Sequence, residues 1–356
     1  MIYYLLAATI PLFVWGIRNY YFNKYTMAGQ KKERAEKWFV FFAILPIFLL
    51  YVLRDSHIGA DTIGYVSNFQ GITGNLIEVW QNADKEPGFL VYTRLVSLLS
   101  RNYTVYFFIT GLLIFVPIYF FSVNYPQNPY VFIFLFITLG YYSFIETGMR
   151  QAIAMSICLT SYGAIKKKNL INIIRTVLTI TIAYFFHKSA VIFVLLFILS
   201  FLPDSDISKI LYLVITIVLA SGFSFFQDLF NEWVGYSYEI EETGNGYIFL
   251  LVILGLYIIS AVWGKKDIDV DVNRLIANSA SLTVVMWVLR LISRTAERIS
   301  YYFILGHFAY ATKIFAFNKH SKDMLILRLG IIFICIALFV YRNVDAKYAF
   351  FWQGIL

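Results

Sequence analysis

Three residues of this 356-residue chain are well suited to taking a proton: Asp61, Glu86 and His187. Each stands in a polar stretch beside apolar sequence. Asp61 lies in RDSHIGADTIGY (54–65), Glu86 in EPGF (86–89) and His187 in FFHKS (185–189). A positioned carboxylate or imidazole acts as a general base near neutral pH. Arginines recur around them. Arg54 opens the first stretch, and Arg150 follows Glu146 by four residues in FIETGMRQ, a spacing that lets the two pair on one helix face. Arg290, Arg294 and Arg298 come every fourth residue in VLRLISRTAERIS. As one helix they form a slowly drifting stripe, with Glu297 within reach of Arg294. A guanidinium grips phosphate or carboxylate through a rigid fork, so the chemistry suggested is binding of an anionic ligand. Tyr65, four residues after Asp61, would face the same pocket, Gly59 would let backbone approach a ligand closely, and Arg94 stands beside the polar face of the segment after EPGF.

Other chemistries find little support. There is no Walker A motif, no Rossmann glycine pattern and no HExxH. The two cysteines, Cys158 and Cys335, lie in apolar segments, and the four histidines are scattered, so neither a disulfide framework nor a metal site is expected. No cofactor is expected. The net charge of +8 would suggest nucleic acid in a soluble protein, but basic cytoplasmic loops account for most of it.

The elements that position these residues are membrane helices. The chain is 60% hydrophobic and 14% charged, against about 25% charged in soluble domains. A bilayer needs about 20 apolar residues per helix. Twelve candidate spans fall near 2–20, 38–53, 105–121, 130–144, 149–165, 170–186, 189–202, 210–226, 247–263, 275–292, 299–315 and 324–341. The first carries no basic leader and reads as a retained helix. The cluster Arg18, Lys24, Lys31, Lys32, Arg34 and Lys37 belongs in the cytoplasm, which puts both termini outside. Eight of the eleven external cations are then Arg (54, 94, 101, 150, 290, 294, 298 and 342), a bias the positive-inside rule does not require. The longest external segment is 54–104. Within it the residues after Pro87 read as an amphipathic helix between helices 2 and 3, with Thr93, Ser97, Ser100 and Arg101 on one face. It is too short to span and suited to the outer surface. A second external loop, 227–246, is acidic and suits a lid or an acceptor-sugar surface. His307 lies mid-span, where an ionisable group is a functional candidate.

The ordered set LRDSHIGADTIGY, EPGF, MRQAIAMSICL, FFHKSAVIF and ERISYYF resembles the EpsG family of bacterial polysaccharide polymerases, related in role to Wzy O-antigen polymerases. The tail NVDAKYAFFWQ matches only loosely. With the span map, the fold expected is all-α: one polytopic integral membrane domain over 1–356, GT-C-like, with about twelve transmembrane helices. The resemblance implies a metal-independent glycosyltransferase at the outer face of the plasma membrane. It would join oligosaccharide repeat units carried on undecaprenyl pyrophosphate, for O-antigen, capsule or exopolysaccharide, alongside chain-length regulator and flippase proteins. Arg54, Arg150, Arg290, Arg294 and Arg298 would then hold pyrophosphate; Asp61, Glu86 or His187 would be the base, Asp61 slightly favoured; and Tyr65, Arg94 and Gly59 would bind substrate. Alternatives are a flippase for the same lipid-linked sugars, an O-antigen ligase and a sugar acyltransferase.

Overall fold

The computed structural model describes residues 1–25, 29–201, 246–264, 270–316 and 322–353, with isolated positions between 202 and 245. Among these, every regular element is helical, apart from one isolated β-bridge. A short, strongly apolar helix lies at the centre. Helix α7 (Pro129–Thr138) follows α1 (Ile2–Lys24), α2 (Gly29–Leu53), α3 (Thr62–Gly71), α4 (Leu76–Gln81), α5 (Pro87–Leu99) and α6 (Tyr103–Asn124). Asn128 caps it by accepting from the backbone of Tyr130 and Val131, with Pro129 at the first helical position. Tyr130 through Thr138 are all buried, as a helix hydrophobic on every side must be. It packs against α1, α2 and α6 and against two later helices, Ile304–Ala311 and Lys322–Asn343. On the outer surface Phe13, Phe120, Leu178, Leu251 and Phe333 are exposed, an apolar exterior suited to lipid.

Among the described residues, four helices are long and apolar enough to cross a membrane: Gly29–Leu53, Tyr103–Asn124, Val270–Leu289 and Lys322–Asn343. A fifth results if Pro129–Thr138 and α8 (Tyr141–Thr147), bent by 58°, are one span. Twelve spans are expected from the sequence, and the described residues supply four or five. Expected span 130–144 falls on the bent pair, broken where Gly140 takes φ 85°. Span 149–165 divides into α9 (Met149–Leu159) and α10 (Tyr162–Lys167), and span 299–315 into Ile304–Ala311 with a tight 3-10 turn after it. Apolar sequence continues through these breaks, so hydropathy alone does not reveal them. Span 210–226 lies outside the described residues, isolated positions aside.

Helix α5 differs from expectation in its facing. In α5 the small polar Thr93 and Ser97 point inward with Phe89, Tyr92 and Val96, while Leu95, Leu98 and Leu99 are exposed. Thr93 and Ser97 meet their hydrogen-bond needs on the backbone carbonyls of Phe89 and Arg94, so burial costs them little.

Contacts at one end of the bundle collect the polar motifs. The Met1 amino group donates to the Ala346 carbonyl at 2.6 Å. The tail runs back along the segment after α2: Asp55 N–H donates to Ala349 and Phe351 N–H to Leu53, each at 2.9 Å, while the Tyr348 hydroxyl donates to Leu50 at 2.7 Å. Arg18, paired with Glu36 at 2.8 Å, lies at the opposite end of α1, where the Tyr130 hydroxyl also donates to Glu36.

Candidate functional site

Three of the motifs converge because of local backbone chemistry. Glu86 is the N-cap of α5 and adopts φ 54°, ψ 57°, a left-handed conformation costing a non-glycine residue about 1–3 kcal/mol. Pro87 follows at the first helical position, where its fixed φ suits a helix start. Gly88 is then pressed onto α11 (Leu170–Phe186): a Cβ there would stand 2.8 Å from Phe185 Cβ and 2.9 Å from its carbonyl oxygen. That close approach brings Glu86 to His187, the residue capping α11. Gly148 separates α8 from α9 and places Arg150 in the first turn of α9.

The cluster is tight. Arg150 Nη1 donates to Glu86 Oε2 at 2.6 Å, with Glu86 1% exposed and the Arg150 side chain 32% exposed. Arg150 Nε reaches the Tyr65 hydroxyl at 3.5 Å, and its guanidinium lies 5.8 Å from the Tyr65 ring centre. His187 Nε2 stands 3.6 Å from Glu86 Oε1. On the far side of the ring, the Ser189 N–H donates to Nδ1 at 3.3 Å. Nδ1 is therefore the acceptor, and the neutral ring carries its proton on Nε2, toward Glu86. Ser189 Oγ lies 2.7 Å from Nδ1 and 2.9 Å from the Tyr302 hydroxyl. Burial, with Arg150 and Arg298 adding to it, pushes the His187 pKa down to about 3. Burial likewise raises the Tyr65 hydroxyl above its ordinary value.

In front of this cluster opens a cavity of about 510 Å³ lined by Asp61, Tyr65, Asn68, Lys85, Glu86 and Arg150, with Phe89 and Leu90 as its apolar floor. Asp61 occupies the N-cap position of α3, yet its side chain makes no capping bond. The carboxylate is exposed on the cavity wall. Asp61, Tyr65, Glu86, Arg150 and His187, dispersed over 127 residues, are thus brought together. Lys85 and Asn68 were not anticipated. Lys85 directly precedes the EPGF motif and could have been noticed there; Asn68 gives no signal beyond lying one helical turn after Tyr65.

Other expected residues are placed elsewhere. Arg54 is fully buried, with its guanidinium 4.0 Å over the Tyr51 ring and 4.5 Å over Phe107. Its three nitrogens find no hydrogen-bond partner among the described residues. It neither lines the cavity nor bonds Asp55, whose Oδ1 instead takes the His57 N–H at 3.0 Å and lies 2.7 Å from His57 Nδ1. Gly59, at φ 95°, approaches the protein's own backbone: a Cβ would lie 2.3 Å from the Glu146 carbonyl oxygen, which also accepts from Thr62 Oγ1 at 3.0 Å. Glu146 does not pair with Arg150, because the break at Gly148 separates them. The Tyr4 hydroxyl donates to Glu146 instead, at 3.2 and 3.1 Å. Arg94 clips the Gly74 carbonyl at 2.8 Å.

The 290–298 segment is not one helix. Helix Val270–Leu289 ends before Arg290, and a new helix begins at Thr295. Buried Arg290 pairs with Glu297 at 2.8 Å, so the expected Glu297–Arg294 partnership is replaced by one reaching back seven residues. Arg294 and Arg298 are exposed. Arg298 comes toward the cluster: its carbonyl accepts from Gln151 Nε2 at 2.8 Å, one residue past Arg150, and its charge acts on His187. His307 is fully buried within Ile304–Ala311. The acidic stretch 227–246 lies outside the described residues, isolated positions apart. Gly246, at its end, sits against the Arg290 guanidinium: a Cβ added there would stand 3.2 Å from Nη1.

Comparison with known proteins gives one match, to the EpsG family, over residues 37–353. No curated protein and no solved structure matches the chain. The matched span runs from the start of the apolar part of α2 to the last described residue and includes every residue of the cavity. The chain belongs to the EpsG family.

Proposed function

We propose that this protein is a polysaccharide polymerase of the plasma membrane. It joins oligosaccharide units carried on undecaprenyl pyrophosphate, and the Glu86–Arg150 cavity is its reaction site. Family membership supports polymerisation. The observation that carries the site is the convergence of three motif segments on one cavity holding a strained, buried carboxylate and two cations. Strain of this kind concentrates where function requires it.

In the proposed reaction an acceptor hydroxyl oxygen attacks the anomeric carbon of the donor sugar. The bond from that carbon to the pyrophosphate oxygen breaks, the hydroxyl proton passes to a base, and undecaprenyl pyrophosphate leaves. Asp61 is the base: it is exposed to the cavity, while Glu86 is engaged with Arg150. Arg150 and Lys85, with Arg298 nearby, stabilise charge developing on the leaving pyrophosphate. Glu86 is a positioning residue that aims Arg150, with neutral His187 packed beside it at 3.6 Å. Arg54, sealed between two rings, is assigned to the framework. The charge pattern of the loops supports this end of the bundle facing outward.

The test is reconstitution in lipid vesicles with a defined lipid-linked repeat unit, reading product length and released undecaprenyl pyrophosphate. Polymer and carrier should appear together, and Asp61→Asn should reduce both by about 10²–10⁴-fold. Flipping of the lipid-linked unit without polymer, or undiminished turnover by Asp61→Asn, would refute the respective assignment.

A further inference from the structure

A second cavity, of about 300 Å³, lies against the other side of the Asp61 loop. Its size is at the lower end of small-molecule sites, about 300–1,000 Å³. Its wall includes Tyr4, His57, Gly59, Ser143, Glu146 and Asn343, with Lys347 at the exposed rim. None of these takes part in the reaction proposed above. The two cavities share one thin partition: residues 57–59 line the second, and Ala60 and Asp61 line the first. From Gly59 to Asp61 is at most about 7 Å of chain. The partition is rigid, because Gly59 is wedged onto the Glu146 carbonyl and Thr62 bonds to the same oxygen.

The chemistry of this second cavity differs from that of the first. Besides His57, its lining carries two ionisable side chains of opposite kind, the Glu146 carboxyl, 5% exposed, and the Lys347 ammonium. Most of the remainder is neutral, with hydroxyls from Tyr4, Ser143 and Thr147 and an amide from Asn343. His57 gives its Nδ1 to Asp55, which leaves Nε2 as its other polar atom. A buried carboxyl surrounded by hydroxyl and amide groups suits a ligand rich in hydroxyls and without net charge, whose O–H groups both donate and accept.

We infer that this second cavity is a carbohydrate subsite, holding a neutral sugar ring of the glycan while the chemistry proceeds across the Gly59–Asp61 partition. The ligand class rests on the polymerase reading; the cavity itself does not. Holding the sugar one partition away fixes the direction from which its neighbour reaches Asp61, the kind of positioning that raises effective concentration at a reacting centre.

The test uses the full chain in lipid nanodiscs. The probe is a set of lipid-free oligosaccharides of one to three repeat units, cut from the host polysaccharide by partial hydrolysis, with binding read by saturation-transfer NMR. Wild type and Glu86→Gln bind alike. Ser143→Trp, which fills the cavity, and the double variant Asn343→Ala with Lys347→Ala, which strips its rim, each bind at least tenfold more weakly. Should Ser143→Trp fail to fold, the rim variant decides. Wild-type affinity in the rim variant, or absence of binding to wild type, overturns the inference. Binding lost in Glu86→Gln but kept in the rim variant places the sugar in the first cavity and also overturns it. Wild type that binds through the rim residues yet makes no polymer upholds this subsite and refutes the polymerase reading.

Discussion

Glu86→Gln isolates the role of one charge. Glutamine has nearly the same shape, so the left-handed backbone at this N-cap costs about the same before and after. What changes is the bond to Arg150, now 2.6 Å from Glu86 Oε2. A hydrogen bond to a charged group contributes about 1.5–3 kcal/mol. Arg150 is about a third exposed, so water recovers part of that when the carboxylate is gone, and the folded state should lose only about 1 kcal/mol. The reaction should lose more. An Arg150 no longer aimed forfeits up to the full worth of one charge-assisted bond in the transition state, about 1.5–3 kcal/mol, which is roughly a 10–150-fold slower rate. The assay is release of undecaprenyl pyrophosphate by reconstituted protein, alongside thermal melting of the same sample. A variant within threefold of the wild-type rate would refute the idea that Glu86 aims Arg150. A variant that melts far earlier would show Glu86 to be chiefly structural.

Other outcomes follow from the same geometry. His187 has a folded pKa near 3 against an ordinary 6.5, so between these values the unfolded chain binds a proton that the folded one does not. Its contribution to stability is therefore complete above about pH 6.5 and is lost as pH falls toward 3. His187→Gln should flatten the melting temperature across that window, and an unchanged slope would disprove the assignment. Gly88→Ala places a methyl group 2.8 Å from Phe185 Cβ; it should push α5 from α11, part Glu86 from His187, and lower polymerisation at least tenfold in a protein that still inserts. Normal turnover would mean this contact does not set the site. Arg54→Ala empties the space between Tyr51 and Phe107 and should cost about 2–5 kcal/mol, as large-to-small core changes do. Polymer should then disappear together with folded protein on an immunoblot, and loss of polymer at full protein level would instead return Arg54 to the reaction site.

Local signals in the chain told which residues matter better than where they lie. Asp61 and Tyr65 share a cavity because their spacing of four is one helical turn, and EPGF announces its helix start through Pro87. The meeting of Glu86 with Arg150 and His187 could not be read, since it depends on Gly88 settling on a helix that begins 82 residues later. Nor could the division of the arginines. Arg54, Arg150 and Arg290 look alike in sequence, but one is stacked between rings, one opens onto the cavity and one is tied to Glu297. The regular spacing of Arg290, Arg294 and Arg298 misled because the backbone turns after Leu289. On α5 the hydrophobic pattern was legible but its direction was not: Leu95, Leu98 and Leu99 face out while Thr93 and Ser97 face in.

The antiparallel bridge between Arg54 and Phe350 has a bearing on how the molecule is made. Leu53 and Asp55, just ahead of the stretch that separates the two cavities, are fastened by backbone bonds to Phe351 and Ala349, synthesised almost 300 positions later. Until Ala349 and Phe351 leave the ribosome, neither of these two bonds can form. A nascent chain that already holds Gly59 and Thr62 against the Glu146 carbonyl would still lack this second clasp.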